Sequence, residues 1–322
     1  MAATAQLGDM PLEVMRMMLS ELPFLDRMRL RLVSRGFYEA VSICPHVFED
    51  IDLRVESHRI HITYTLDSGH VITYRPIQRD RCMLWINDGD VRRTYERRLR
   101  SSEAALHDFT ALMSNQYLSI RNLHLHIRVP EGLYFLTKFV EALTEIQWKR
   151  GGQIGLEKLF LFADGFFPMV LTSVEAFQRD QLSVLEIEMG NLVEVSQLRA
   201  LFGWETIERF IFTAGTIIEL DNINIFGNIS QITMNALLST EDAVRFRDMF
   251  MRKPKFERFL VYLHRLSGIR FDSLAEALGM DSPVLRDGQL IHREPIPNSH
   301  NDMVLTARPP NTFLLEKEPR RD

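Results

Sequence analysis

The sequence is poor in cysteine and has no long apolar run. Cys44 and Cys82 are the only cysteines among 322 residues. Two cysteines so far apart argue against a disulfide framework and a cysteine-based zinc site, and they suit a reducing compartment. No apolar run approaches the roughly 18 residues of a membrane span, and the first residues lack the charged start and apolar stretch of a signal peptide. These absences predict a protein of the cytoplasm or the nucleus.

A strong excess of one charge is also missing. The formal net charge is −5, and the chain is 46% hydrophobic and 25% charged, as in ordinary globular proteins. This balance gives no overall electrostatic reason to expect nucleic acid or a membrane as a partner. The length of 322 residues allows two domains, or one small domain followed by a repeat array.

The common catalytic motifs do not occur. The sequence has no Gly-x-x-x-x-Gly-Lys, no Gly-x-Ser-x-Gly and no His-Glu-x-x-His. His124 and His126 share one face of a predicted strand, as two metal ligands could. No cysteine lies near them, and polar side chains are ordinary on the solvent face of a strand. We therefore predict a non-catalytic protein without cofactor or metal.

Three short helical patterns follow one another between residues 10 and 41. Pro11 suits the first turn of a helix, Pro23 cannot continue that helix, and Ser34 can cap a third. The apolar positions of the first helix recur at spacings of three and four residues; they are Val14, Met15, Met18, Leu19 and Leu22. A unit of about 35 residues buries little apolar surface by itself. Its apolar surplus therefore predicts a docking surface.

This stretch resembles the F-box in the order and spacing of its residues. The matching positions are Met10-Pro11-Leu12-Glu13-Val14-Met15, Met18-Leu19, Leu22-Pro23, Asp26-Arg27-Met28 and Arg31-Leu32-Val33-Ser34-Arg35. The resemblance implies that residues 8–44 bind the Skp adaptor of a cullin ubiquitin ligase. The adaptor-binding residues it implies are Pro11, Leu12, Val14, Met15, Met18, Leu19, Leu22, Leu32 and Val33. The alternative is a plain three-helix cap that buries the same residues against the next domain.

Residues 45–100 predict a connecting region that contains a β-hairpin. Alternating apolar residues occur in two runs, at 60–64 and 71–75, and Gly69 between them can adopt the positive φ of a tight turn. The stretch from Val91 to Arg100 has five arginines and one glutamate. We interpret it as the solvated start of a helix, with a nucleic-acid or phosphate contact as the alternative.

The pattern apolar-x-x-apolar-x-apolar recurs six times in the remaining chain. The triplets are Ile120-Leu123-Leu125, Leu156-Leu159-Leu161, Leu182-Leu185-Ile187, Ile207-Phe210-Phe212, Ile229-Ile232-Met234 and Phe256-Phe259-Val261. Helical stretches are predicted between them at Leu133–Trp148, Met169–Phe177, Val193–Phe202 and Glu241–Met251. A strand and a helix every ~20–29 residues is the size of a leucine-rich repeat, whose units must stack with parallel strands to bury their apolar faces. An ordinary α/β domain is the alternative.

The predicted fold class is therefore α/β: a three-helix F-box, a β-rich linker region, and an irregular leucine-rich-repeat-like solenoid over residues 101–285. Residues 286–322 contain Pro295, Pro297, Pro309 and Pro310, and they predict a mostly extended tail. The order of these parts, with Ile62-Thr63-Tyr64 and Phe256-Glu257-Arg258-Phe259, looks like nematode F-box proteins that have an FTH-type C-terminal domain.

This organisation implies the substrate-recognition subunit of a Skp–cullin–F-box ubiquitin ligase. Its partners would be a Skp-family adaptor, through it a cullin, and an unknown target protein. The predicted target-binding residues alternate with buried ones along the repeat strands; they are Phe160, Phe162, Glu186, Glu188, Ile211 and Tyr262. Two alternatives stay open: a repeat-based scaffold without a ligase role, and the burial of Phe160, Phe162 and Tyr262 under other parts of the chain.

Overall fold

The fold was analysed in a computed structural model. It describes residues 10–22, 24–30, 33–56, 61–66, 70–88, 91–128, 132–163, 177, 181–189, 193–194, 206–217, 229–263, 269–280, 285–286, 288–308 and 312–320. Three helices come first: α1 (Leu12–Ser20), α2 (Phe24–Leu30) and α3 (Arg35–Ser42). A mixed α/β domain follows them.

The three N-terminal helices have a small core of their own. Its buried members are Met15, Leu19, Phe37, Ala40, Val41 and Cys44. The Ser34 hydroxyl accepts a hydrogen bond from the Phe37 N–H at 3.3 Å, so Ser34 caps α3 as the sequence predicts. The core of the α/β domain is a separate cluster, so these helices pack mainly against one another.

A buried arginine joins the ends of these helices. The Arg27 side chain donates to the carbonyl oxygen of Leu22 at 2.7 Å and to that of Ser20 at 3.3 Å. It also donates to the carbonyl oxygen of Pro45 at 3.2 Å and to Cys44 Sγ at 3.4 Å. A guanidinium has five N–H donors in one plane, so a single side chain can hold the end of α1 to the chain that leaves α3.

Seven parallel strands form the centre of the described sheet, in the same order as in the chain. They are β1 (His46–Glu56), β6 (Leu118–Arg128), β7 (Lys158–Ala163), β8 (Val184–Met189), β10 (Arg209–Ile217), β11 (Gln231–Leu237) and β12 (Arg258–Leu263). The short β9 (Val193–Glu194) pairs with β10. The predicted parallel arrangement of the repeat strands is confirmed.

One backbone hydrogen bond recurs just before each repeat strand. The N–H of the residue directly after the first apolar residue of a triplet donates to the carbonyl oxygen of the residue at the same position in the preceding triplet. The five bonds are Glu157 to Arg121 at 3.0 Å, and Ser183 to Glu157, Glu208 to Ser183, Ser230 to Glu208 and Glu257 to Ser230, each at 2.9 Å. The register between one strand and the next is thus nearly the same along this part of the sheet.

All residues of the six apolar triplets are buried, as predicted, in one continuous core. Several helices pack on it, among them α5 (Gly132–Arg150) and α6 (Thr240–Met251), which lie at the positions that the sequence predicts. On α6, the centroid of the Phe246 ring lies 4.4 Å from that of Phe259, and the centroid of the Phe250 ring lies 4.1 Å from that of Phe256.

The helix predicted at Met169–Phe177 lies outside the described residues except for Phe177. The one predicted at Val193–Phe202 is wrong at its start, which is β9, and residues 195–202 lie outside the described residues.

Four antiparallel strands extend the sheet beyond β1: β2 (His61–Leu66), β3 (His70–Gln78), β4 (Arg81–Asp88) and β5 (Val91–Arg97). The β2–β3 hairpin was predicted, but the helix start at Val91–Arg100 is wrong. Residues 91–97 pair with β4, with Trp85 opposite Thr94. The helix α4 (Ser101–Met113) begins only after them, where the Glu103 carboxylate accepts from the Arg100 N–H at 3.2 Å. Residues 91–97 are a strand because they pair with the edge of β4. Their arginine content does not determine their secondary structure.

The C-terminal segment is also part of the sheet, which corrects the expected extended tail. After α7 (Phe271–Ala277) come β13 (Leu285–Arg286), β14 (Gln289–Pro295), β15 (Asn301–Arg308) and β16 (Thr312–Pro319). β16 runs antiparallel to β12, with Val261 opposite Phe313. Pro295 and Pro319 are the last residues of their strands, where a missing N–H is tolerated. The alternating apolar residues of this segment therefore determine its structure more than its proline content does.

No helix within the described ranges is long and apolar enough to cross a membrane.

Replacing Phe313 tests whether the C-terminal strands contribute to the core. Phe313 is fully buried, with its ring 6.4 Å from that of Phe259. Phe313→Ala should lower the free energy of unfolding by about 3–5 kcal/mol, measured by urea denaturation. Thr312→Ala, on the half-buried side of the same strand, is the control and should cost less than about 1 kcal/mol. Equal stabilities of the two variants would contradict the burial of this segment.

Candidate docking surfaces

The helix α1 divides its apolar side chains between two faces. Met15 and Leu19 are 4% and 1% exposed and lie in the small helical core. Val14, Met17 and Met18 are 42%, 72% and 51% exposed. Their spacing of three and four residues places them together on one side of the helix. The described part of the chain leaves this apolar face uncovered.

The predicted adaptor-binding residues therefore fall into two groups. Met15 and Leu19 were expected on the docking face, and this is corrected: they form the interior of the helical unit. Helical periodicity groups residues by face, but it does not say which of two adjacent apolar faces turns inward. The remaining described residues of the set are exposed or half-buried: Pro11, Leu12, Val14, Met18, Leu22 and Val33. Leu32 lies outside the described residues.

Met17 is missing from the predicted set, although it is the most exposed apolar side chain of α1. The sequence holds the signal that would have selected it, because Met17 follows Val14 by three residues. An apolar side chain at that spacing extends the exposed face by one more position.

Residues 7–48 form an F-box domain. The match to the F-box domain family spans this range, and it contains α1, α2 and α3. An F-box implies binding to a Skp-family adaptor, and F-box proteins are typically non-catalytic adaptors. A comparison with curated proteins finds no match to the chain. The α/β domain that follows the F-box is thus characterised by its own geometry.

The second candidate surface is the outer face of the parallel strands, which we call the strand face. Its residues alternate with the buried residues of the triplets and lie in two rows across neighbouring strands. One row is Asp52, His124, Phe160, Glu186 and Ile211. The next is Arg54, His126, Phe162, Glu188 and Thr213.

Two histidines stack on two phenylalanines in the strand face. The His124 and Phe160 rings are 4.2 Å apart and 2° from parallel. The His126 and Phe162 rings are 4.3 Å apart and 3° from parallel. On the far side of the histidines, His126 Nε2 lies 3.8 Å from Asp52 Oδ1. The face therefore presents aromatic rings with carboxylates on both flanks.

Glu186 is the carboxylate that this environment affects most clearly. Burial raises the pKa of the Glu186 carboxyl, and the nearby charge of Glu188 raises it further. The positive charge of Arg209 and that of His124 act in the opposite direction. The raised pKa shows that partial burial beside the Phe160 ring is unfavourable for the charged carboxylate.

The predicted target-binding residues lie on this outer face and not in the core. Phe160, Phe162, Glu186 and Ile211 are half-buried, whereas Glu188 and Tyr262 are exposed. His124 and His126 share the face, as predicted, with ring centroids 6.5 Å apart. Within the described ranges, no three His, Cys, Asp or Glu side chains are arranged to hold a metal ion.

The raised pKa of Glu186 predicts a pH-dependent effect of its neutral analogue. In the folded protein this carboxyl binds its proton more tightly than in the unfolded chain, so its ionisation destabilises the fold. Glu186→Gln should therefore raise the melting temperature at pH 7. The difference from the parent should shrink as pH falls through the raised pKa and vanish below about pH 4, where the group is protonated in both states.

The measurement is thermal unfolding between pH 3.5 and 8. Glu188→Gln is the matched control, because Glu188 is exposed on the same strand; we expect a smaller change. A Glu186→Gln variant that melts at or below the parent at pH 7 would show that the carboxylate is stabilised by its neighbours.

Proposed function

We propose that this chain is the substrate-recognition subunit of a Skp–cullin–F-box ubiquitin ligase. The F-box would bind the Skp-family adaptor, and the α/β domain would bind a protein to be ubiquitinated. The observation that carries the proposal is the exposed apolar face of α1 in the F-box, with Val14, Met17 and Met18 at its centre. In this role the chain works in the cytoplasm or the nucleus, without catalytic chemistry of its own.

The packing of the F-box supports a partner on this face. Its core is complete without Val14, Met17 and Met18, because Met15 and Leu19 fill it from α1. Exposed apolar side chains that contribute nothing to the fold are typical of docking sites. A plain cap, the alternative, would bury these residues against the α/β domain, whose core contains none of them.

We propose four segments for the chain: the F-box helices at 8–44, within the family match at 7–48, a connecting region at 45–100, a repeat domain at 101–285, and a C-terminal segment at 286–322. Two observations support an irregular leucine-rich-repeat-like array in the third segment. The parallel strands keep their chain order in the sheet, and the same backbone hydrogen bond recurs from unit to unit. A helix follows β6 and another follows β11. The FTH type stays a proposal that depends on the order of parts in the sequence.

The strand face is the proposed target-binding surface. Phe160 and Phe162 offer aromatic rings that are only partly buried, and Glu186 and Glu188 flank them. Partly exposed aromatic residues beside carboxylates suit a partner that brings apolar and cationic side chains. Ile211 on the next strand and Tyr262 on β12 extend the same side of the sheet.

Truncating the exposed face of α1 tests adaptor docking. The double variant Val14→Ala with Met18→Ala should weaken binding to a purified Skp-family adaptor at least tenfold, or about 1.4 kcal/mol. The helix should stay intact, because alanine favours helices and neither side chain belongs to the core. Isothermal calorimetry measures the affinity, and circular dichroism checks the fold.

Trp148→Ala is the control for this experiment. Trp148 is 81% exposed on α5, outside the F-box residues, so its truncation removes a large apolar side chain that is not part of the proposed site. Adaptor affinity should not change. If the wild-type chain fails to bind the adaptor, the ligase role is wrong and a scaffold function becomes the better hypothesis.

A second pair of substitutions tests the strand face. Phe162→Ser with Tyr262→Ser should abolish adaptor-dependent ubiquitination of the proteins that the wild-type chain captures in cells, because both rings leave the proposed surface. Quantitative ubiquitin proteomics measures this, and Trp148→Ser is the matched control. We expect the melting temperature to stay within about 4 °C of the parent, which corresponds to roughly 1–2 kcal/mol. Unchanged ubiquitination, or a fall in melting temperature like that of Phe313→Ala, would contradict a binding role.

A further inference from the structure

The strand β5 has a free edge at one end of the sheet. Within the described residues it pairs with β4 on one side and with no strand on the other. The side chains along it are exposed: Arg92, Arg93, Thr94, Tyr95 and Glu96. Backbone N–H and C=O groups on such an edge can pair with another extended chain.

Positive charge is concentrated at this end of the molecule. Residues 70–100 contain eight arginines and four acidic residues, although the whole chain has a net charge of −5. Three of these arginines are already paired: Arg81 with Glu96 at 3.1 Å, Arg97 with Asp108 at 2.7 Å and Arg100 with Glu103 at 3.9 Å. The remaining arginines give the β5 end a local positive field.

Trp85 on β4 holds two of the unpaired guanidinium groups. The Cζ atom of Arg75 lies 3.6 Å from the centroid of the Trp85 ring, and that of Arg92 lies 4.0 Å from it. Among the described side chains, neither guanidinium forms an ion pair with a carboxylate. A guanidinium that stacks on an aromatic ring keeps the N–H groups in its plane available for an anion.

We propose that an acidic, extended segment of a partner protein adds to the free edge of β5. The added strand would lie about 4.8 Å from β5, and its side chains would alternate between the two faces of the sheet. Acidic side chains on the outer face would lie beside Arg92, whose guanidinium is held by Trp85. Opposite charges on adjacent strands attract each other. This site is distinct from both surfaces of the proposed ligase function and does not depend on it.

The charges and the free edge together favour an acidic peptide over other occupants. A second copy of β5 would bring another strand with three arginines and one glutamate, and two strands of the same net charge repel each other. A nucleic acid would satisfy the arginines, but its backbone cannot continue the N–H and C=O pattern of a strand. An acidic peptide can use both the charges and the edge.

The test uses the full chain and a fluorescein-labelled ten-residue peptide in which glutamate and threonine alternate. Fluorescence anisotropy should show binding that weakens as salt rises. Arg92→Glu should reduce the affinity at least about tenfold, because it places like charges together. Arg98→Glu is the matched control: Arg98 is also exposed but lies just beyond β5, and the same change of charge there should cost about threefold or less.

Two further peptides test the mode of binding. N-methylation of alternate residues removes the N–H groups from one edge at a time; the peptide methylated on the pairing edge should lose binding, and the one methylated on the other edge should keep it. A peptide with lysine in place of glutamate should not bind. Thermal unfolding checks that Arg92→Glu stays folded, and Arg92→Gln replaces it if it does not.

Several results would overturn the proposal. They are no binding of the glutamate peptide, equal losses in the Arg92 and Arg98 variants, and unchanged binding of both methylated peptides. Tighter binding of a ten-nucleotide single-stranded DNA than of the glutamate peptide would identify the site as a nucleic-acid surface instead.

Discussion

The α/β domain depends on the burial of one apolar strand face that no single strand can bury alone. Each triplet supplies only a short apolar strip, and the strip becomes core only when the next strand lies beside it. The recurring hydrogen bond that precedes each strand, such as Ser183 to Glu157, keeps successive strands in nearly the same register. Chain order and sheet order therefore coincide, and the outer side chains fall into rows. The strand face is a consequence of this register.

The F-box is organised differently. Its helices form a core of their own and leave one apolar face of α1 exposed. Met15 and Leu19 pack inside, and the planar donors of Arg27 hold the ends of the helices together. An adaptor bound at the exposed face of α1, as proposed, would therefore not compete with folding for the same side chains. The separation of the two cores also means that substitutions on α1 should leave the sheet unchanged.

The two ends of the sheet are subject to a different constraint, because the unpaired edge of an outermost strand can pair with a strand of another molecule. The parallel centre is extended by β2–β5 on one side and by β13–β16 on the other. Arginines on β5 disfavour pairing between copies of the chain and leave the edge open to an oppositely charged strand. The charge distribution within residues 70–100 thus matters more for interactions than the net charge of the chain.

The sequence by itself determined the F-box helices, the β2–β3 hairpin and the buried triplets, because helical spacing, turn residues and strand alternation are local patterns. Only the tertiary structure decided which side of α1 is buried, since Val14 and Met15 are equally apolar and the position of α3 selects between them. It also decided that residues 91–97, 289–295, 301–308 and 312–319 are strands. The last of these strands pairs with an edge that lies far away in the sequence, β16 with β12, whereas β5 pairs with β4 just before it. A strand is stabilised by a neighbour, and no local pattern reveals whether that neighbour is there.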